Sequence, residues 1–191
     1  HTKADNKFKY DGNPNEFTKE FVKRLKENEI GAGVITNHNK FAIDEFKDLF
    51  LKAKKEEIFL LPGVELSVKD GANGIHCLIV FNYEEWYKDG TDFINHFLIS
   101  AFEGISNYEN ENARCNYSLK ETLEKLDEHK KSGRDSFIIM AHIEDRCGFY
   151  NELEGGRISE LSNDELFRNF VLGFQKVRTS DYIKNLNIWL N

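Results

Sequence analysis

One pattern recurs along the sequence and constrains the fold most: a helical stripe of apolar residues followed by a short apolar run. A stripe between residues 16 and 28 precedes the run at 31–35, and a stripe from Ile43 to Ala53 precedes the run at 58–61. Apolar residues at three- and four-residue spacing predict helices, whereas short continuous apolar runs predict buried strands. The alternation therefore predicts an α/β fold with a largely parallel sheet.

Turn residues divide the middle of the chain into shorter strands. Pro62-Gly63 is predicted to end the strand at 58–61, and a new strand follows at 64–68. The polar segment 69–74, which contains two glycines, joins it to a strand at 75–81. These two strands are predicted to form a hairpin.

The second half of the chain continues with helix and strand signals. Ser118 and Glu121 have the spacing of a capping box, as do Ser162 and Glu165, so each pair predicts the start of a helix. Apolar spacing adds other elements, and weak periodicity predicts two loops. The elements are helices at 93–102 and near 183–190 and a strand at 137–141, and the loops are 107–116 and 144–157.

Length, charge and cysteine usage limit the class of protein. A chain of 191 residues without an evident repeat is expected to form one domain, and its longest apolar runs are too short to cross a bilayer. The formal charge of -7 disfavours a general nucleic-acid or anionic-membrane surface. Cys77, Cys115 and Cys147 are odd in number and lack C-x-x-C spacing, so we expect reduced thiols in a cytoplasmic protein.

Histidines and one glutamate stand at the edges of several predicted strands. His38 follows the strand at 31–35, Glu65 lies in the strand at 64–68, His76 is near the start of the strand at 75–81, and His142 follows the strand at 137–141. Strands of an α/β sheet bring such positions together at one edge. Imidazole nitrogens and carboxylate oxygens bind zinc, iron or manganese, and a carboxylate can bridge two ions. The pattern therefore predicts a metal site.

The order of these motifs resembles the PHP family, the polymerase and histidinol phosphatase domains. The matching segments are H-T at His1, I-T-N-H-N around His38, G-V-E at Glu65, H-x-L at His76 and A-H at His142. The resemblance implies a distorted, seven-stranded β/α barrel of TIM-like form that holds two or three divalent ions and hydrolyses phosphoesters.

A narrower resemblance concerns the two ends of the chain. Residues 1–8 and 174–178 are most similar to PHP domains that precede an ABC/SMC-like ATPase domain in bacterial proteins. It implies an ATPase as a partner within the same polypeptide. It also implies that residues 1–191 form one PHP-like domain near the N-terminus of a longer protein, truncated at both ends.

The resemblance also assigns roles to single residues. His1 corresponds to the second histidine of the opening motif, and Glu65 to the bridging carboxylate. His76 and His142 correspond to the histidines of the second metal position, and His38 to a ligand of the third. His38 and Glu65 are the expected catalytic residues.

Two departures from the family pattern affect the third metal position. Lys7 replaces a histidine, and Asn37 replaces the usual aspartate beside His38. An ammonium at Lys7 is predicted to neutralise substrate phosphate in place of a metal ion. The alternative is that Lys7 is a solvated loop residue.

Further cations follow candidate ligands and are expected to contact the substrate. These are Arg146, Lys176 and Arg178, with surface ion pairing as the alternative for each. Thr179-Ser180-Asp181-Tyr182 only partly matches the family's closing S-D-x-H segment. Asp181 is therefore predicted to be a helix N-terminal residue, with the closing motif beyond Asn191.

The sequence thus supports two functional hypotheses. The first is a metal-dependent phosphoesterase that acts on a nucleotide, a nucleic-acid end or a small phosphorylated metabolite. The second is a degenerate PHP domain that serves as a regulatory or interaction module for an attached ATPase. Loss of the first histidine and the closing segment would leave the isolated chain inactive even where the full-length protein is an enzyme.

Overall fold

The computed structural model describes residues 1–5, 9–110 and 112–176. The predicted helix-then-strand order is present: α1 (Phe17–Glu27) leads to β1 (Ala32–His38), and α2 (Ile43–Lys55) leads to β2 (Phe59–Val68). The remaining elements, in order, are β3 (Ile75–Phe81), α3 (Tyr83–Trp86), β4 (Tyr87–Lys88), β5 (Thr91–Asp92), α4 (Phe93–Ala101), α5 (Leu119–Lys131), β6 (Ser136–Met140), α6 (Phe149–Glu152), α7 (Gly155–Asn163), α8 (Glu165–Phe170) and β7 (Val171–Phe174).

The main sheet has five strands in the order β1-β2-β3-β6-β7. The outer pairs β1-β2 and β6-β7 are parallel, but β3 is antiparallel to both β2 and β6. The expectation of a largely parallel sheet was therefore wrong. The predicted hairpin is the cause, because its tight turn at 69–74 reverses the chain direction.

The sheet is not closed into a barrel over the described residues. β1 and β7 are its two edges, and a separate ribbon pairs β4 with β5. The seven-stranded barrel implied by the family resemblance is thus replaced by an open mixed α/β sheet. Within the described ranges, β1 pairs with β2 and β7 pairs with β6, each on one side.

Strand β2 runs without interruption through Pro62-Gly63, which was predicted to end it. Pro62 pairs with Ile35 of β1, and the ladder to β3 begins only at Gly63, so a missing N–H at residue 62 is tolerated. A Cβ at Gly63 would lie 2.7 Å from Val34 Cγ1 and 2.8 Å from Ile79 O. Glycine therefore permits the strand to pass between its neighbours.

One of the two predicted capping boxes is present at the start of a helix, and the other is not. At Ser118 both reciprocal hydrogen bonds with Glu121 are present. Ser162 instead lies in the last turn of α7, where its hydroxyl donates to Ser159 O, and Asp164 caps α8 through Phe167 N–H. The segment 144–157, predicted to be a loop, contains α6 and the start of α7.

Helices pack on the sheet through fully buried side chains such as Leu49 and Ala53 of α2 and Leu126 of α5. None of the helices in the described part of the chain is long and apolar enough to cross a membrane. The helical stripe predicted near 183–190 and the residue Asp181 lie outside the described residues.

The directions of the strands bring the candidate ligands together at one end of the sheet, where β1, β2 and β6 terminate. His38 ends β1 and pairs in register with Glu65 of β2. His76 stands at the start of the antiparallel β3, and His142 follows the end of β6. Because β6 runs in the same direction as β2, all four residues lie towards the same end of the strands.

Candidate metal centre

Glu65 lies at the centre of the histidine cluster. Its Oε1 is 2.9 Å from His76 Nδ1 and 3.4 Å from His142 Nε2. Its Oε2 is 3.5 Å from His1 Nε2 and 3.6 Å from His38 Nε2. Each oxygen therefore faces a different pair of histidines.

The Glu65 carboxylate is buried and yet is held in its charged form. Burial alone would raise its pKa, but hydrogen bonding from His142 and His76, together with the positive field of His38, lowers the pKa well below its usual range. A charged carboxylate surrounded by imidazoles is the donor set that divalent cations prefer in mixed N/O sites.

Asp5 belongs to the same cluster and was not predicted as a site residue. It is buried, and its Oδ2 lies 2.8 Å from His1 Nδ1 and 2.9 Å from His38 Nδ1. The rings of His1 and His38 stack with centroids 4.6 Å apart and planes 2° from parallel. The sequence feature that could have identified Asp5 is its position four residues after His1, a candidate ligand.

Two groups of three ligand atoms are arranged closely enough to hold an ion. The atoms of His1, Asp5 and His38 lie within 4.8 Å of one another, as do those of His38, Glu65 and His76. His142 extends the second group, since its Nε2 is 3.1 Å from His76 Nδ1. These nitrogen and carboxylate donors fit a divalent metal ion.

Asn39 fixes the backbone that presents His38 and Glu65. It has a left-handed φ of 51°, and its N–H donates to Glu65 O. Its side chain accepts from Ser67 N–H and donates to Asn110 O and Ala113 O. Asn39 thereby ties the ends of β1 and β2 to the segment 107–116.

Gln175 holds the backbone around His142, which has an unusual φ of 28° for a non-glycine residue. Its side-chain Oε1 accepts from His142 N–H at 3.2 Å, and its carbonyl accepts from Ile143 N–H at 3.1 Å. Its own N–H donates to Met140 O. Three contacts from one residue thus stabilise a strained ligand position.

Asn37 does not face the metal-ligand cluster. Its Oδ1 accepts from Thr2 N–H at 2.8 Å, and its Nδ2 donates to Thr2 Oγ1 at 3.0 Å. Thr2 Oγ1 in turn donates to Glu45. The amide at residue 37 therefore anchors the segment that carries His1 and Asp5.

A cavity of about 860 Å³ opens above the cluster. The predicted substrate residues Arg146 and Lys176 both line it, together with the candidate histidines and Glu65. Arg146 donates from Nε and Nη2 to Asn73 Oδ1 at 3.3 and 3.1 Å. Lys7 and Arg178 lie outside the described residues.

Among the cysteines, Cys147 lines the cavity. His129 packs on Trp86 with ring centroids 4.4 Å apart, and His96 contacts Phe93 at 5.9 Å. The three thiols are free, and burial raises the pKa of Cys115 to about 12.

Comparisons with known proteins give little further guidance. No family model matches the sequence, and no curated protein matches it significantly. A proposed metal-dependent phosphoesterase from Bifidobacterium adolescentis superposes with a TM-score of 0.49 at 12% identity, covering 83% of this chain and 71% of that one. A score below 0.5 supports no assignment of family or function.

Proposed function

We propose that this protein is a metal-dependent phosphoesterase with a multinuclear site. The proposal rests on the orientation of the Glu65 carboxylate. Its Oε1 faces His76 and His142, and its Oε2 faces His1 and His38. A carboxylate with one oxygen toward each of two imidazole pairs is arranged to bridge two ions.

The other ligands divide between the two sides of Glu65. His1, Asp5 and His38 would hold one ion, and His76 and His142 the other. We expect the site to hold two or three ions of zinc, manganese or iron. Bound divalent ions polarise a phosphoryl oxygen and lower the pKa of an attacking water.

The cations at the cavity rim would bind the substrate phosphate. Arg146 is oriented by Asn73, and its planar guanidinium fits two phosphate oxygens. Lys176 contributes a second positive charge from the end of β7. Lys7 and Arg178 complete the proposed set of substrate contacts, and His38 either binds metal or contacts the phosphate.

The proposal extends to partners and location. The substrate would be a phosphoester of a nucleotide, a nucleic-acid end or a small phosphorylated metabolite in the cytoplasm. An ABC/SMC-like ATPase in the same polypeptide is retained as a proposed partner. Phosphate-stimulated or nucleic-acid-stimulated ATP hydrolysis by the full-length protein would support that partner.

The test compares the wild-type protein with Glu65→Gln. We expect metal content by elemental analysis to fall, and hydrolysis of nucleotide and oligonucleotide phosphoesters to fall at least about 100-fold. Glu124→Gln, an exposed position on α5, is the matched control. Full metal content and full hydrolysis in Glu65→Gln would overturn the proposal, and a metal-free, inactive full-length protein would favour the degenerate interaction module.

A further inference from the structure

Strand β1 forms one edge of the main sheet, and half of its backbone groups point away from the sheet. Just beyond its two ends, Phe59 N–H donates to Gly31 O and Asn39 N–H donates to Glu65 O. Successive residues of a strand direct their N–H and C=O groups to opposite sides, so the odd-numbered residues of β1 bond to β2. The even-numbered residues that face outward are Ala32, Val34, Thr36 and His38.

One of these outward groups already has a partner, which supports the alternation. The N–H of His38 donates to Asp5 Oδ2 at 2.9 Å. Over the described ranges, the outward N–H and C=O groups of Ala32, Val34 and Thr36 have no such partner. An open edge with unpaired backbone groups is a template for another strand.

An apolar groove on α1 reaches both ends of this open edge. It has a volume of about 250 Å³ and extends from His1, which stacks on His38 at the end of β1, to Ile30 just before β1. Ile30 is 40% exposed. The apolar side chains of the groove are Phe17, Phe21, Leu25 and Ile30. A strand added to β1 would therefore lie beside an apolar surface.

One acid and one base also line the groove. Glu20 and Arg24 are four residues apart on α1 and both are exposed. Glu20 Oε2 accepts from Tyr10 Oη at 2.6 Å. Lys19 pairs with Glu16, whereas Arg24 has no carboxylate partner in the part of the chain that the structure describes. The groove thus carries opposite charges at neighbouring positions of one helix.

We propose that β1 is the interface of a symmetric homodimer, in which the β1 strands of two copies pair antiparallel about a twofold axis at Val34. Val34 then pairs with Val34 of the second copy, and Ala32 pairs with Thr36 of the second copy. Each outward residue gains a backbone partner, and the two five-stranded sheets join into one continuous sheet. Because His38 ends β1, the two candidate metal centres lie at opposite ends of the joined sheet.

The charges on α1 favour a second copy as the occupant. Residues 28–31 join α1 to β1, so about 16 Å of helix runs antiparallel to about 20 Å of strand. A twofold axis at the middle of β1 therefore passes near the middle of α1, between Glu20 and Arg24. In such an interface the same patch meets itself, so Glu20 of each copy faces Arg24 of the other.

Sedimentation velocity over a dilution series of the full chain tests the dimer. EDTA is present throughout, so that metal ions cannot link two copies through their histidines. We expect a reversible equilibrium between monomer and dimer, with a dissociation constant given by the dilution series. A monomer at every concentration would overturn the proposal.

The variant Val34→Pro tests the strand pairing. It removes an N–H that would bond across the twofold axis but leaves the bonds to β2, and proline is tolerated on edge strands. The dissociation constant should rise about tenfold or more. Val34→Ala keeps the N–H and should change the constant by less than about threefold.

A charge exchange tests the helix contact independently of any effect of proline on folding. Arg24→Glu and Glu20→Arg should each raise the dissociation constant about fivefold, because each places like charges opposite one another. The double variant should restore most of the affinity. Lys23→Glu makes the same change of charge at an exposed residue that pairs with Glu27, and should have little effect. A dimer whose dissociation constant is unchanged in Val34→Pro and in Arg24→Glu would use another surface and would overturn the proposal.

Discussion

Asp5 Oδ2 lies 2.9 Å from His38 Nδ1 and also accepts the backbone N–H of His38 at 2.9 Å. A carboxylate at Nδ1 favours the tautomer with a proton on that nitrogen, and it leaves Nε2 as the ligand atom. His38 Nε2 is the atom that faces Glu65. Asp5 thus orients the imidazole of His38 towards the centre of the cluster.

Asp5→Asn should weaken metal binding at the His1 and His38 side about 10- to 100-fold, because a neutral amide is a weaker metal ligand than a carboxylate and a weaker acceptor for the Nδ1–H of His38. The ion beside His76 should remain. Elemental analysis after dialysis measures the loss, with exposed Asp11→Asn as control. Unchanged metal content at low free metal would contradict the role of Asp5.

Gln175→Leu should weaken metal binding beside His142, because it removes the acceptor for the His142 N–H while filling similar volume. Gln175→Glu keeps an acceptor and should restore most of the affinity. Competition with a chromogenic chelator gives the dissociation constants. Equal loss of affinity in both variants would indicate general packing rather than positioning by the side-chain oxygen.

Asn39→Asp should destabilise the protein by about 2 kcal/mol, because a carboxylate oxygen would replace the amide that donates to Asn110 O and Ala113 O. Urea unfolding measures the change, and limited proteolysis within 107–116 should become faster. Asn163→Asp alters a similar but exposed contact with Ser159 O and should change stability by less than about 0.5 kcal/mol. Identical proteolysis rates in Asn39→Asp and wild type would argue against the anchor.

Stability should fall as the pH decreases from about 6.5 towards 4. The pKa of His129 is lowered to about 4, mainly by burial and to a smaller extent by the positive charge of Arg134, whereas its unfolded value is about 6.5. The unfolded chain therefore binds more protons across this window, so stability is complete above it and decreases as the pH falls. His129→Gln should flatten that part of a urea-midpoint against pH curve. A slope identical to the wild type would exclude His129 as the source.

The local spacing of apolar residues predicted those helices and strands in which the buried residues recur at regular intervals. Helices α1 and α2 and the hairpin agree with their apolar patterns, and strand ends placed His38 and His142 at a common edge. The pairing and direction of strands that are distant in sequence could not be predicted from local spacing. The direction of β3 depends on its turn, and β2 passes through Pro62 because the β3 ladder begins one residue later.

Residues in irregular segments were the hardest to predict. Asp5 lies where no period marks a buried face, and its position depends on contacts with His38 that exist only after folding. The sequence also did not reveal the contact that Asn37 makes. Asn37 was identified only as a departure from the family's aspartate beside His38, and its side chain accepts from Thr2 N–H in the folded chain.

The β2–β3 hairpin also has a consequence for the order of folding. Glu65 and His76 share one contiguous stretch, residues 59–81, and face each other across antiparallel strands. Hairpins form within about 1–10 μs, ahead of contacts between distant segments. Glu65 and His76 should therefore meet early, and pulsed hydrogen exchange should show the amides that bond across the β2–β3 ladder protected before those of β1. A nascent chain would then be able to capture a metal ion before its remaining ligands arrive.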